Sequence, residues 1–318
     1  MLALLFPGQG SQVVGMGSEV HRASTAARDV YAAADAALGF ALSKLCFEGP
    51  ESELLRTEIQ QPAILATSVA LLRAFQERCR VAPAFVAGHS LGEYTALVAS
   101  GALELEDAVR LVHARGRFMQ EAVPEGRGAM AAVLGLTPGD VERVCDTVRD
   151  EHGGCVSPAN YNSPQQTVIA GDAESVARAC EAALAAGAKR TVPLAVSAPF
   201  HCALMAPAAR KLAGELRRVR FAKASPPVVA NVDAEPNDDP GRMATLLEQQ
   251  VTAPVRFVAM IERMLALGVT RVLEIGAGSV LVALVARISR ELARASLSSP
   301  ADFADAERFA LAPDAEPG

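Results

Sequence analysis

Short aliphatic runs recur along most of the chain: LALLF at residues 2–6, PAFVAG at 83–88 and RVLEI at 271–275. Each leads into a glycine or a helix-starting turn and then into a longer helical pattern. Alternation of this kind predicts an α/β fold with a mainly parallel sheet. SPPVVANV at 225–232 is a fourth candidate strand. The middle of the chain has another rhythm. GAMAAVLGL reads as a strand, TPGDVERVCDTVRDEH as a helix, CVSPAN and QTVIAG as two strands around the turn YNSPQ, DAESVARACEAALAAGA as a helix and KRTVPLAV as a strand. The order β-α-β-β-α-β is that of a small ferredoxin-like unit. The expected organisation is a discontinuous large α/β domain, residues 1–127 and 197–297, with a ferredoxin-like domain inserted at 128–196. After the strand near Ile275, a helix through Arg290 and beyond is expected to close the core. The tail 298–318, rich in Ala, Asp, Glu and Pro, is expected to add a short helix and end in disorder.

Composition excludes several classes. At 318 residues and 51% hydrophobic letters the chain can bury a full core, yet its strongly apolar runs, such as SVLVALVARI at 279–288, fall short of the ~20 residues a bilayer span needs. MLALLFPGQG has no basic leader and reads as a core strand, not a signal peptide. Six cysteines with no CxxC pair suit free thiols in a reducing compartment, so the cytoplasm is expected. No ligand cluster suggests a metal. A net charge of −6, 4% aromatics and no Trp argue against a nucleic-acid binder. ELRRVRFAK at 215–223 reads as a solvated face or, alternatively, as a docking surface for an acidic carrier protein.

AGHSLGE at 87–93 is the sharpest local signal. Gly88, Ser90 and Gly92 fit G-x-S-x-G between a strand and a helix, the turn that pushes a nucleophilic serine out of a sheet edge. The competing reading is a capping box, Ser90-x-x-Glu93, in which the hydroxyl merely serves the Glu93 amide. A nucleophilic serine needs a base. Of His21, His89, His113, His152 and His201, the last stands apart, because it follows SAPF where the chain leaves the small domain for the rim of the predicted cleft. No acid between Ser90 and His201 offers itself, which favours a dyad with a neutral group orienting the imidazole.

In ELEDAVRLVHARGRFMQ, at 104–120, Ala108, Leu111, Arg115 and Phe118 share one stripe, with Arg110, His113 and Arg117 on a more polar side. A guanidinium on a core-facing stripe needs an anion, either a protein carboxylate or a substrate that ends in one. FPGQGSQ at 6–12 offers backbone donors that can complete an oxyanion hole. It lacks the lysine and spacing of a phosphate loop, and LEIGAGSVL lacks the third glycine of a dinucleotide site. Gly276 to Gly278 therefore read as a close strand-to-helix turn.

Together these segments resemble the malonyl-CoA:acyl carrier protein transacylases of type II fatty acid synthesis. The likeness runs through FPGQGSQ, QPAILATSVAL, AGHSLGEYTALVASG, RLVHARGRFMQEAVPEG, ANYNSPQQTVIAG, APFHCALM, QQVTAPVRF and VLEIGAG. The resemblance implies a hydrolase-like large domain with the inserted small one, Ser90 as acylated serine and His201 as general base. It also implies Arg115 pairing with the malonyl carboxylate, the Gln9 and Leu91 amides as oxyanion hole, and the Gln250 carbonyl orienting the histidine. No bound cofactor is expected. The CoA thioester is substrate, and phosphopantetheine arrives on acyl carrier protein, a transient partner of a monomeric enzyme. Phe257, Ala277 and Ser279 depart from frequent family residues at the rim. Related readings are a malonyl transferase of a polyketide or malonate decarboxylase system, a serine thioesterase or other hydrolase, and a non-catalytic carrier-binding subunit.

Overall fold

The structure, a computed structural model, describes residues 1–313. Ten strands are found among them: β1 (Leu2–Phe6), β2 (Phe85–Gly88), β3 (Gly128–Leu134), β4 (Val156–Ser163), β5 (Gln166–Asp172), β6 (Arg190–Pro193), β7 (Val228–Val229), β8 (Pro236–Asn237), β9 (Arg271–Ile275) and β10 (Ala293–Leu297). β1 is apolar and buried at all five positions, as a strand covered on both faces must be. It sits centrally in a six-stranded sheet of order β10-β9-β1-β2-β7-β8. All pairings there are parallel except β7 with β8.

The second sheet, of order β4-β5-β3-β6, is antiparallel throughout and drawn from one continuous stretch of chain. Helices Pro138–His152 and Ala173–Ala185 pack together on the face carrying Ala131, Val133, Val156 and Ile169. The alternate residues Met130, Ala132, Val168 and Ala170 join the core of the larger body instead. The period-2 alternation of β3 and β5 thus makes a two-sided sheet, one face for its own helices and one for its host. Both the fold class and the ferredoxin-like order agree with the sequence expectation.

Three details differ from the sequence expectation. Tyr161–Ser163 belong to β4, so the turn shrinks to Pro164 and Gln165. SPPVVANV contributes only Val228–Val229, because Pro226 and Pro227 lack the amides a ladder needs and the chain turns back into β8. The helix after β9 stops at Ile288, where Ser289 is extended, and the chain then forms β10 beside β9. The tail supplies the short helix expected of it, and that helix packs on the body. Helix Phe303–Leu311 buries Phe303, Ala306 and Ala310, and the Phe303 ring stands 6.2 Å from Phe75. The disorder expected farther on falls at 314–318, outside the described residues.

Candidate active site

Gly88 closes β2, and helix Gly92–Ala99 begins four residues later. Between them Ser90 adopts φ 52°, the left-handed region that L residues avoid. The glycines make this turn possible. A Cβ on Gly88 would lie 2.0 Å from the Gly92 carbonyl, and one on Gly92 would lie 2.1 Å from the Phe6 carbonyl oxygen. The capping-box alternative is overturned. The helix has no side-chain cap, the Glu93 amide bonds the Ser90 carbonyl instead of its hydroxyl, and the Ser90 amide goes to Asn231.

Ser90 Oγ lies 2.7 Å from His201 Nε2, and His201 Nδ1 lies 2.8 Å from the Gln250 carbonyl oxygen. A carbonyl only accepts, so Nδ1 carries the proton and Nε2 presents its lone pair to the serine. His201 is 3% exposed. Burial and then the nearby Arg115 charge hold its pKa down at about 3, keeping the imidazole neutral. The other histidines are elsewhere engaged. His89 meets Asn162 at 2.8 Å, His113 meets the Glu58 carbonyl, His21 stacks against Tyr31 and Phe47, and His152 is exposed beside Glu151.

Arg115 is 2% exposed, with Ala108, Leu111 and Phe118 buried along the same helix, Leu105–Ala122. Its Nη1 donates to Gln61 Oε1 at 2.8 Å, and its Nη2 donates to Gln250 Oε1 and to Ser90 Oγ, each at 2.9 Å. Tyr94 presents its ring 5.7 Å away. Among the described residues no carboxylate forms an ion pair with it, and its Nε makes no hydrogen bond. Burial lowers its pKa, while Tyr94 and Glu93 raise it. A desolvated guanidinium held only by neutral oxygens is poised for an anion.

The FPGQG loop is tied to the elbow by the His89 amide, which donates to the Phe6 carbonyl at 3.1 Å. Among the described residues the amides of Gln9 and Leu91 donate to no protein acceptor. The small antiparallel sheet closes the other side. Val255 exchanges hydrogen bonds with Ala159 and Tyr161 at 2.9 Å, and Thr57 meets Ser197 at 2.7 Å. Ser90, His201, Arg115 and Gln250 are thereby brought together from four distant stretches of chain.

Sequence reasoning gave Gln61 and Asn231 no role at this centre and read Glu93 only as a partner in a cap. Gln61 holds Arg115, Asn231 bridges Gly88 and Ser90, and Glu93 accepts from the Asn231 amide and from Gln250 Nε2. All three are buried, and burial pushes the Glu93 carboxyl up to about 7. The available signal was a polar residue inside a buried apolar run: Gln61 in QQPAILATSVALL, Asn231 after PPVVA. In ELRRVRFAK, Arg218 pairs with Glu215 and Lys223 with Asp238.

Among the described residues all six cysteines are free, no group of His, Cys, Asp and Glu can hold a metal, and no helix is long and apolar enough to cross a membrane. Residues 3–317 match the acyl transferase domain family. The malonyl CoA-acyl carrier protein transacylase of Escherichia coli (strain K12) is 48% identical over 304 residues, 96% of this chain and 98% of the relative. The structure of the malonyl CoA-acyl carrier protein transacylase from Coxiella burnetii superposes with a TM-score of 0.95 at 38% identity, covering 98% of both chains. A chain in the complex of a holo type II PKS acyl-carrier protein with its malonyl-transacylase gives a TM-score of 0.93 at 46% identity, covering 96% of this chain and 99% of that one. With an acyl transferase signature over almost its whole length and relatives this similar, the chain belongs to the malonyl-CoA:acyl carrier protein transacylase family.

Proposed function

We propose that this protein moves a malonyl group from malonyl-CoA to the phosphopantetheine thiol of acyl carrier protein through a malonyl ester on Ser90, supplying fatty acid elongation. One observation carries the reading: the same Ser90 oxygen meets a neutral imidazole at 2.7 Å and a buried guanidinium at 2.9 Å. In a malonyl thioester one methylene separates the carbonyl carbon from the free carboxylate. A group that binds this carboxylate must therefore lie within a few ångströms of the nucleophile, and Arg115 does.

His201 Nε2 takes the Ser90 proton as Oγ attacks the thioester carbonyl, and the Gln9 and Leu91 amides receive the developing oxyanion. The proton on Nε2 then passes to the departing CoA sulfur. In the second half, the carrier's thiol gives its proton to His201, attacks the ester, and Ser90 Oγ recovers the proton. Arg115 has a second effect. In the free site its charge depresses His201, and a bound malonyl carboxylate offsets that charge, so the substrate strengthens the base that will act on it. No bound cofactor or metal is required by these steps, and the carrier is a transient partner.

Within this reading the chain divides into a large body, residues 1–127 and 197–297, and an inserted unit, 128–196. The cleft between them admits the thioester arm. A monomer in the cytoplasm is the proposed setting, the compartment supported by the free thiols. Intact mass spectrometry after mixing with malonyl-CoA tests the function: a malonyl adduct on the wild type, absent from Ser90→Ala, that holo carrier protein then discharges. Release of free malonate with no dependence on carrier would instead make the enzyme a hydrolase.

A further inference from the structure

Asn231 lies two residues beyond β7, is fully buried, and spends every polar group it has. Its Oδ1 accepts from the Ser90 amide at 2.7 Å, and its Nδ2 donates to the Gly88 carbonyl at 2.7 Å. Its own amide donates to Glu93 Oε2 at 3.0 Å, and its carbonyl accepts from the Arg256 amide at 3.0 Å. The amide orientation is forced, since the Ser90 N–H only donates and the Gly88 oxygen only accepts.

The far side of the Ser90 residue is held as well. Gln250 Nε2 donates both to the Ser90 carbonyl at 3.0 Å and to Glu93 Oε2 at 2.8 Å. Gln250 also anchors His201 through its carbonyl and Arg115 through Oε1. Serine at φ 52° is in a conformation it does not prefer, and such a turn persists only where its surroundings over-determine it. One planar side chain that donates on one edge and accepts on the other grips the chain on both sides of His89. An ionised carboxylate lacks the donor, and an aliphatic side chain lacks both functions.

We infer that Asn231 is a positioning residue of the acyl-transfer site. It clamps the Ser90 turn so that Oγ meets His201 and Arg115 together, and it commits the Ser90 amide to structure, leaving the oxyanion to Gln9 and Leu91. This rests on the acyl-transfer reading. The ionisable groups around the position are Glu93 on the following helix, Asp233 on the same loop and Arg115 on the facing helix, and Arg256 meets it through its main chain.

The test compares wild type, Asn231→Ala and Asn231→Asp, each checked for folding by circular dichroism and melting temperature. Ser90 acylation is followed by single-turnover rapid quench with malonyl-CoA, and Ser90 reactivity is followed separately with a fluorophosphonate, which needs no malonyl recognition. Asn231→Ala is expected to acylate about 100-fold more slowly at saturation, the scale of a nucleophile misplaced by about an ångström, with its half-saturating malonyl-CoA concentration little changed. Asn231→Asp is expected to be slow at pH 8 and to approach wild type as pH falls toward 5, because a protonated carboxyl restores a donor for Gly88 and an acceptor for Ser90. The wild type over the same range removes the titrations of the neighbours. A folded Asn231→Ala that acylates like wild type, a defect confined to malonyl-CoA binding, or a pH-independent ratio of Asn231→Asp to wild type would overturn the inference. If Asn231→Ala does not fold, that ratio decides. If wild type reacts with the fluorophosphonate but not with malonyl-CoA, the acyl-transfer reading fails, and the fluorophosphonate rates of the variants still judge the clamp.

Discussion

Replacing Arg115 with alanine should separate two acyl donors that differ by one carboxylate. The guanidinium is buried and donates to Gln61 Oε1, Gln250 Oε1 and Ser90 Oγ, with no ion-pair partner among the described residues. Truncating one member of a desolvated, hydrogen-bonded charge pair costs about 2–5 kcal/mol. At about 1.4 kcal/mol per decade, this predicts a drop in kcat/KM for malonyl-CoA of roughly 30- to several-thousand-fold. Acetyl-CoA has no carboxylate to lose and registers only the shared damage, chiefly two buried glutamine oxygens left without a donor, of order tenfold. Even that is offset in part: burial, the larger cause of the depressed His201 pKa, stays, but the second cause, the Arg115 charge, is removed and the imidazole becomes somewhat more basic. The malonyl-to-acetyl ratio should therefore collapse, while absolute acetyl loading changes little. Rapid quench with radiolabelled acyl-CoA donors, checked by intact mass, measures both rates on the same preparation. Equal losses for the two donors would show that Arg115 supports the site without reading the carboxylate.

Gly88→Ala tests the elbow, since its Cβ would sit 2.0 Å from the Gly92 carbonyl and 2.6 Å from the Glu93 amide nitrogen, all backbone that cannot swing aside. We expect about 1–3 kcal/mol of destabilisation, read as a lower melting temperature, together with loss of Ser90 acylation. A variant that loads malonyl at the wild-type rate would mean the turn is looser than its geometry. His201 should stay neutral far below the usual histidine range, so its imidazole nitrogen resonances should show no protonation between pH 8 and pH 5. A titration near 6.5 would contradict the burial argument. The linkage sign follows: between about 6.5, where an unfolded histidine titrates, and about 3 the unfolded chain binds the extra proton. This residue's contribution to stability is thus present at neutral pH and lost as pH falls through that window, at up to about 1.4 kcal/mol per pH unit.

The elements that could be read from the chain were those whose periodicity is imposed by burial on a known number of faces. LALLF is apolar at every position because helices cover both sides of its sheet. β3, GAMAAVL, is likewise apolar throughout because one face meets its own helices and the other the host core. β10 escaped because it carries an edge-like pattern, ARASL being half exposed; in the tail the short helix was legible, but not that it buries Phe303, Ala306 and Ala310. Composition there says polar and Ala-rich, whereas the three buried positions depend on what the tail lands against. Asn231 and Gln61 escaped for a related reason, since a single polar letter in an apolar run has no spacing partner to announce it.

Sequence by itself determined the turn around Ser90, because only glycine fits at Gly88 and Gly92, and it placed Arg115 on a buried stripe, because helical spacing is a local property. It could not choose between a capped helix and a nucleophile, since both use the same letters. Tertiary structure removed the cap and set the geometry around the hydroxyl. It carried His201 across 111 positions to within 2.7 Å of Ser90 Oγ and brought the Gln250 carbonyl behind the imidazole. It also sent the Ser90 amide to Asn231 and the Glu93 amide to the Ser90 carbonyl, so that the hydroxyl faces the imidazole. Hydrogen bonds between residues this far apart in the chain leave no periodic trace, because they are set by which strands and helices the fold makes neighbours and not by the path of any one.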